Sequence, residues 1–122
     1  MDKNALVDVG RKIIKGLEDD GVRLNAALWV RELSDESWLL WLGPKTLQSK
    51  TRFYGSLANV LTRLRKHTGY FEISNVRTIE PSNSIIHELR RFGSIDPLFP
   101  RYLFNENLGG LYLKEAILLK VD

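Results

Sequence analysis

The stretch "LWVRELSDESWLLWL", Leu28 to Leu42, decides the predicted fold of this chain. Two apolar runs rich in β-forming residues flank the turn-prone tetrapeptide "SDES", and this pattern predicts a β-hairpin. We expect strands from Val22 to Leu33 and from Trp38 to Leu42. If residues 34–37 form the loop, Leu33 lies opposite Trp38, and Trp29 lies opposite Leu42.

Both faces of this hairpin are apolar, whereas an antiparallel hairpin with one wet face alternates apolar and polar residues. The hairpin therefore either occupies a central position with helices on both faces and its tryptophans in the core, or buries one face in an oligomer. Arg31 is the exception, because it lies among indoles on which its guanidinium can stack. The candidate interface residues are Trp29, Arg31 and Trp38.

The remaining elements follow from hydrophobic periodicity and from the glycines and prolines that bound each segment. The predicted elements outside the hairpin are a helix from Asn4 to Asp19, a helix from about Thr51 to Gly69, a strand within Tyr70 to Pro81, a helix between Pro81 and Gly93, and strands at Arg101 to Phe104 and Leu111 to Val121, which "NENLGG" joins as a second hairpin. The order is α-β-β-α-β-α-β-β.

This order lacks the regular strand and helix alternation of a doubly wound parallel sheet. It favours an α+β fold, with a mixed or mainly antiparallel sheet of about five strands and helices packed on it. The chain has 122 residues, of which 43% are hydrophobic and 27% are charged, as in an average globular protein. We expect residues 1–122 to form a single globular domain.

The composition also predicts in which cellular compartment the protein functions. The chain has no cysteine, which excludes disulfides and thiolate metal sites, and nothing argues for an oxidising compartment. We read no targeting segment, and the longest apolar runs are far shorter than the roughly 20 residues that cross a bilayer. The sequence therefore predicts a soluble, cytoplasmic protein that does not span a membrane.

Catalytic motifs are absent from the sequence. We find no phosphate-binding loop, dinucleotide-binding turn, nucleophile elbow or HExxH pair. His67 and His87 lie in different predicted helices, and neither has a second metal ligand at a suitable spacing. The sequence therefore predicts no catalytic residue, no metal site and no cofactor, and it favours a non-enzymatic protein.

The charge distribution is uneven along the chain. From Trp38 to Phe71 there are six Lys or Arg residues and no Asp or Glu, although the whole chain has 18 basic and 15 acidic residues. Such an asymmetry is typical of a surface for nucleic acid or another polyanion. The candidate binding residues in this basic segment, residues 45–67, are Lys45, Lys50, Arg52, Arg63 and Lys66.

A structural explanation competes with polyanion binding. Lys66 and His67 lie near the predicted end of a helix, where positive charge interacts favourably with the helix dipole. Phe53 belongs to the core-facing stripe of that helix, so it is not free to stack on bases. Lys45, Lys50 and Arg52, in the connector, have no such structural explanation.

The sequence does not determine the function, but it ranks three hypotheses. The favoured one is a small non-enzymatic protein-interaction module with a homo-oligomeric or other protein partner, in which the Trp-rich hairpin forms the dimer interface. The first alternative is binding of nucleic acid or another polyanion through residues 45–67, and the second is a small enzyme with no recognisable motif.

Overall fold

The computed structural model of this protein describes residues 2–32, 37–46, 50–65 and 75–122, with only the backbone at residue 50. In this part of the chain the structure has three α-helices, a short 3-10 helix and a five-stranded sheet. The elements are α1 (Lys3–Asp19), β1 (Leu24–Glu32), β2 (Leu39–Pro44), α2 (Lys50–Arg63), β3 (Val76–Thr78), α3 (Ser84–Leu89), the 3-10 helix (Arg90–Phe92), β4 (Arg101–Leu108) and β5 (Leu111–Val121).

The sheet has the strand order β3-β2-β1-β5-β4. The β2–β3 pair is parallel and the other three pairs are antiparallel. The predicted α+β class, with a mixed, mostly antiparallel sheet, is therefore confirmed. The Trp-rich hairpin provides the centre of the sheet, because β1 pairs with both β2 and β5.

The register of this hairpin differs from the prediction. Trp29 lies opposite Leu40 rather than Leu42, and the pair of β1 and β2 ends with Val30 opposite Leu39. Arg31 and Glu32 continue β1 by pairing with β5 instead. Because side chains alternate along a strand, this shift by two residues leaves Trp29, Leu40 and Leu42 on one face and Leu28, Val30 and Trp41 on the other, as predicted.

Helices cover both faces of the central strands. On one face, α1 and α2 pack on Trp29, Leu40 and Ile117 in a first apolar core. On the other face, α3 packs on Leu28 and Trp41 in a second core. Of the two explanations for the apolar hairpin, the structure therefore has the one in which helices lie on both sides.

Helix α1 is held in place by its apolar stripe and by its ends. Asp2 caps it, with the Ala5 N–H donating to the Asp2 carboxylate at 2.7 Å. Gly21, with φ of 85°, reverses the chain after the last turn. The buried stripe of the helix consists of Leu6, Val7, Val9, Gly10, Ile13, Ile14 and Leu17.

The second hairpin places β4 at the edge of the sheet. We predicted a strand only to Phe104 and a joining segment "NENLGG", but β4 continues to Leu108, and the turn consists of Gly109 and Gly110 alone. Their φ angles of 58° and 82° fit a two-residue turn of type I′, which favours glycine at both positions. The longer strand forms because the chain stays paired with β5 past Asn105, which itself has φ of 53°.

Candidate interaction surface

The predicted interface residues of the Trp-rich hairpin lie against the core. Trp29 is 1% exposed, and its indole Nε1–H donates to the Leu6 carbonyl at 2.8 Å. Trp38 is half-buried, and the Arg31 guanidinium lies over its ring at 5.5 Å from the centroid, in the predicted cation–π arrangement. Because α1 covers Trp29, this indole presents no surface to a partner.

Arg31 also belongs to a cluster of charges beside α1. Its guanidinium pairs with the Glu115 carboxylate, whose other oxygen lies 2.8 Å from Lys3 Nζ. The hydrogen bond from Lys3 and the charge of Arg31 lower the pKa of Glu115, although partial burial opposes them. The carboxylate is therefore held ionised as a structural ion pair.

Acids from distant parts of the chain neutralise part of the basic segment. Lys45 pairs with the Asp122 carboxylate and lowers its pKa. Arg63 pairs with Asp20 at 3.1 Å. Two of the predicted binding cations thus have acidic partners that their own neighbourhood in the sequence does not contain.

The structure gives less information on the other candidates in the basic segment. Arg52 is exposed, whereas the Lys50 side chain and Lys66 lie outside the described residues. Phe53 is buried, as predicted, and the Thr78 hydroxyl donates to the hydroxyl of half-buried Tyr54 at 3.1 Å. Polyanion binding by residues 45–67 therefore stays a prediction.

All large exposed apolar side chains of the described residues lie within residues 98–112, on or beside β4. Phe99 is 81% exposed, Phe104 56% and Tyr102 40%. We call this surface the apolar edge and define it by Leu98, Phe99, Tyr102, Phe104 and Tyr112.

The position of α1 explains why Tyr102 and Phe104 are exposed. Helix α1 packs mainly on β1 and β5, and among the described residues the apolar core beneath it has no member from β4. Tyr102 lies beside Ile117 and Phe104 beside Glu115, so both aromatic side chains are on the α1 side of the sheet. They lie on the part of that sheet face that α1 leaves exposed.

The surroundings of Phe104 and Leu98 extend this surface along α1. Lys3 Nζ lies 4.6 Å from the centroid of the Phe104 ring. In the middle of the helix, Arg11 donates to the Pro97 carbonyl at 2.9 Å, and from there toward the C-terminal end of the helix a cleft of about 270 Å³ lies between α1 and Leu98. Basic side chains of α1 therefore border the apolar edge.

The apolar edge has little local signal in the sequence. The run "LFPRYLF", residues 98–104, contains every apolar member except Tyr112, but an edge strand and a buried strand are equally apolar in sequence. In the described part of the chain, the difference is that α3 packs on one side of β4 while the aromatic side chains on the α1 side stay exposed. We consequently missed this surface and predicted the interface at the tryptophans.

The described residues provide little chemistry for catalysis or metal binding. They contain no group of three or more His, Cys, Asp or Glu residues arranged to hold a metal ion. Surface clefts of about 270 and 380 Å³ lie beside α2 and are lined mainly by basic, acidic and amide side chains. No helix in this part of the chain is long and apolar enough to cross a membrane.

Comparison of the chain with protein-family models, curated proteins and solved structures finds no match.

Proposed function

We propose that this protein is a small non-enzymatic interaction module that binds a protein partner through the apolar edge. The observation that carries the proposal is the concentration of exposed aromatic side chains on one edge strand. Absence of cysteine is compatible with function in the cytoplasm, where thiols are kept reduced.

The area of the apolar edge supports binding. At about 200 Å² for each aromatic side chain, the exposed fractions of Phe99, Tyr102 and Phe104 amount to about 350 Å². The largest apolar patch of a monomeric protein is typically about 300 to 600 Å² and often functional. Tyr and Phe are also enriched in the cores of protein interfaces.

The backbone of β4 supports the same proposal. An edge strand presents unpaired N–H and C=O groups, to which a strand of another chain can add. Natural edges usually block such pairing with charge, proline or a distortion. In β4 these devices are Pro100 and Arg101 at the start of the strand and left-handed Asn105 within it, so Tyr102 to Phe104 is an unblocked segment.

The experiment is photo-cross-linking in cells that naturally make the protein. A benzophenone amino acid replaces Phe104 in one variant and Asn59, an exposed residue of α2, in the control. We expect covalent adducts with protein from position 104 at several times the yield from position 59. Equal yields, or no adduct from position 104, would contradict the proposed function.

A further inference from the structure

We infer that the partner at the apolar edge is a second copy of this chain, joined by antiparallel pairing of the two β4 strands about a two-fold axis at Leu103. The inference rests on the proposed function and names the partner of the same surface. Pairing of this kind makes one continuous sheet of ten strands from the five described in each copy.

The turn of the second hairpin determines which backbone groups of β4 face outward. In a two-residue turn, the Leu111 N–H donates to the Leu108 carbonyl, so this closing pair is hydrogen-bonded. Side chains and backbone groups alternate together along a strand, so side chains on one face of β4 direct their backbone groups to the same neighbour. Left-handed Asn105 interrupts this alternation, because Glu106 and Leu108 lie on the α3 side together with Arg101 and Leu103. Arg101 and Leu103 consequently direct their backbone groups to β5, as Leu108 does, whereas Tyr102 and Phe104 on the α1 side direct theirs to the open edge.

Symmetry leaves few registers for pairing of β4 with itself. Residues that lie opposite each other in an antiparallel pair have their side chains on the same face of the sheet. A two-fold axis perpendicular to the sheet therefore passes beside one residue of β4 and sets it opposite the same residue of the second copy. An axis at Asn105 would place left-handed backbone at the centre, and an axis at Arg101 would leave Phe104 opposite Leu98 of the loop. An axis at Leu103 sets Tyr102 opposite Phe104, so the two residues whose backbone groups face the open edge pair with each other.

The register centred on Leu103 is complementary to itself on the α1 face. It sets Tyr102 of each copy opposite Phe104 of the other, in a pair that exchanges two backbone hydrogen bonds. The Cα atoms of such pairs are about 5.5 Å apart, and aromatic cross-strand pairs are among the favourable ones. Two exposed aromatic side chains in each copy are thereby covered by the same two side chains of the other copy.

Charges on the other face of β4 complement each other in this register. Arg101 lies beside the Phe92 ring at 5.2 Å, and Glu106 pairs with Arg91 at 3.2 Å, so both are on the α3 side. Arg101 of one copy comes opposite Asn105 of the other, one residue from Glu106. Each copy therefore brings a cation next to an anion of the other copy, and like charges are not opposed.

The size of this contact predicts a dimer that dissociates. A standard interface buries about 800 Å² on each partner, and the aromatic surface of about 350 Å² supplies less than half of that. Pro100 and Asn105 restrict pairing to a short segment. The opposite edge, β3, has only three residues, so the pairing closes at two copies instead of extending into a filament.

Sedimentation of the purified chain over a range of concentrations tests the dimer. We expect a monomer–dimer equilibrium that Phe104→Ser weakens at least tenfold, since the change removes two aromatic contacts from each dimer. Asn59→Ser, at an exposed residue of α2 outside the apolar edge, should change the equilibrium less than threefold. Circular dichroism checks that both variants fold, and a chain that stays monomeric at millimolar concentration would overturn the inference.

Disulfide trapping tests the register, since the chain has no cysteine of its own. A Tyr102→Cys chain and a Phe104→Cys chain, distinguished by mass, are oxidised together and separately. Opposite positions fall within disulfide reach, whereas like positions lie about 7 to 8 Å apart on the diagonal. The mixture should give several times more disulfide dimer than either chain alone, and equal yields would overturn the register.

The two proposals can fail separately. Position 104 could cross-link to a different protein while the purified chain is monomeric. This result would support the proposed interaction module but overturn the inference that its partner is a second copy of the chain. Absence of cross-links from position 104 together with a monomeric chain would overturn both.

Discussion

Two aromatic-rich regions of this protein have opposite roles in the sheet. The β1–β2 hairpin contributes Trp29 and Trp41 to two apolar cores, whereas β4 and the loop before it leave Tyr102, Phe104 and Phe99 exposed. The regions have similar composition but different neighbours, because β1 has a strand on each side and helices on both faces, while β4 is an edge that α1 does not cover. The position of a strand in the sheet thus decides whether its aromatic side chains stabilise the fold or remain available for a partner.

The largest difference between the regions should appear when each loses an aromatic side chain. Trp29→Ala leaves a cavity and removes the indole hydrogen bond to the Leu6 carbonyl, so the free energy of unfolding should fall by about 3 to 5 kcal/mol. Phe104→Ala should cost less than about 1 kcal/mol, because its side chain is mostly solvated in the monomer. Urea denaturation at micromolar protein concentration measures both, and similar losses would mean that the apolar edge is permanently buried between copies.

Glycine substitutions test how closely α1 packs on the sheet. A Cβ at Gly10 would meet Leu119 and lie 2.9 Å from Trp29 Nε1, so Gly10→Ala should destabilise the protein by about 1 to 3 kcal/mol. The matched change is Gly55→Ala, at an exposed position of α2, where the added Cβ meets no atom within 4 Å. This change should stabilise the protein by about 0.5 to 1 kcal/mol. Thermal unfolding gives both signs, and a stabilised Gly10→Ala variant would contradict the close contact of α1 with β5.

The charge cluster at the boundary of the two regions should make stability depend on pH. The pKa of Glu115 is lowered in the folded protein below its ordinary value of 4.5. Its contribution is therefore complete above that value and lost as the pH falls through the folded pKa. Glu115→Gln should cost about 1 to 2 kcal/mol at pH 7, because Arg31 and Lys3 lose their anionic partner.

Denaturation curves at a series of pH values check the sign of this effect. The difference between the wild-type chain and the Glu115→Gln variant should shrink as the medium becomes more acidic. A difference that grows toward low pH would contradict the ion pair.

The smallest effect concerns the basic segment. Changing Lys45, Lys50 and Arg52 together to glutamine should lower retention on heparin only as much as the control set Lys12, Lys15 and Arg77 does. The reason is that Lys45 already has an acidic partner in Asp122. The first set therefore lowers retention only by reducing the net positive charge of the protein, as the control set also does. A clearly larger loss for the first set would favour the polyanion alternative over the interaction module.

Much of the fold was predictable from local patterns. The apolar stripe of α1, the buried Phe53 and the two faces of the Trp-rich hairpin follow from periodicities of 3.6 and 2 residues, which neighbours along the chain determine. The hairpin register was wrong by two residues, because the pairing of β1 with β2 ends at Val30 and Leu39, outside the tetrapeptide that the prediction took as the whole loop. An even shift conserves the faces, so the pattern was insensitive to this error.

The candidate surface was not predictable in the same way. Trp29 and Phe104 both lie in runs that predict a β-strand, which does not tell which of the two is covered by a helix, and the charge excess of residues 45–67 does not reveal that Asp122 and Asp20 lie beside Lys45 and Arg63. These outcomes depend on contacts between residues distant in the chain. Such contacts form only when strands and helices pack together.

By itself, the sequence determined the class of the fold, the order of its elements and the faces of the helices and strands, since each depends on side-chain spacing along the chain. Tertiary structure alone decided that β4 is an edge strand, that α1 ends its cover at β5, and that the aromatic surface is on β4 and not on the Trp-rich hairpin. The physical reason is that burial depends on which elements lie above and beside a residue, and residues far apart in the chain supply those elements.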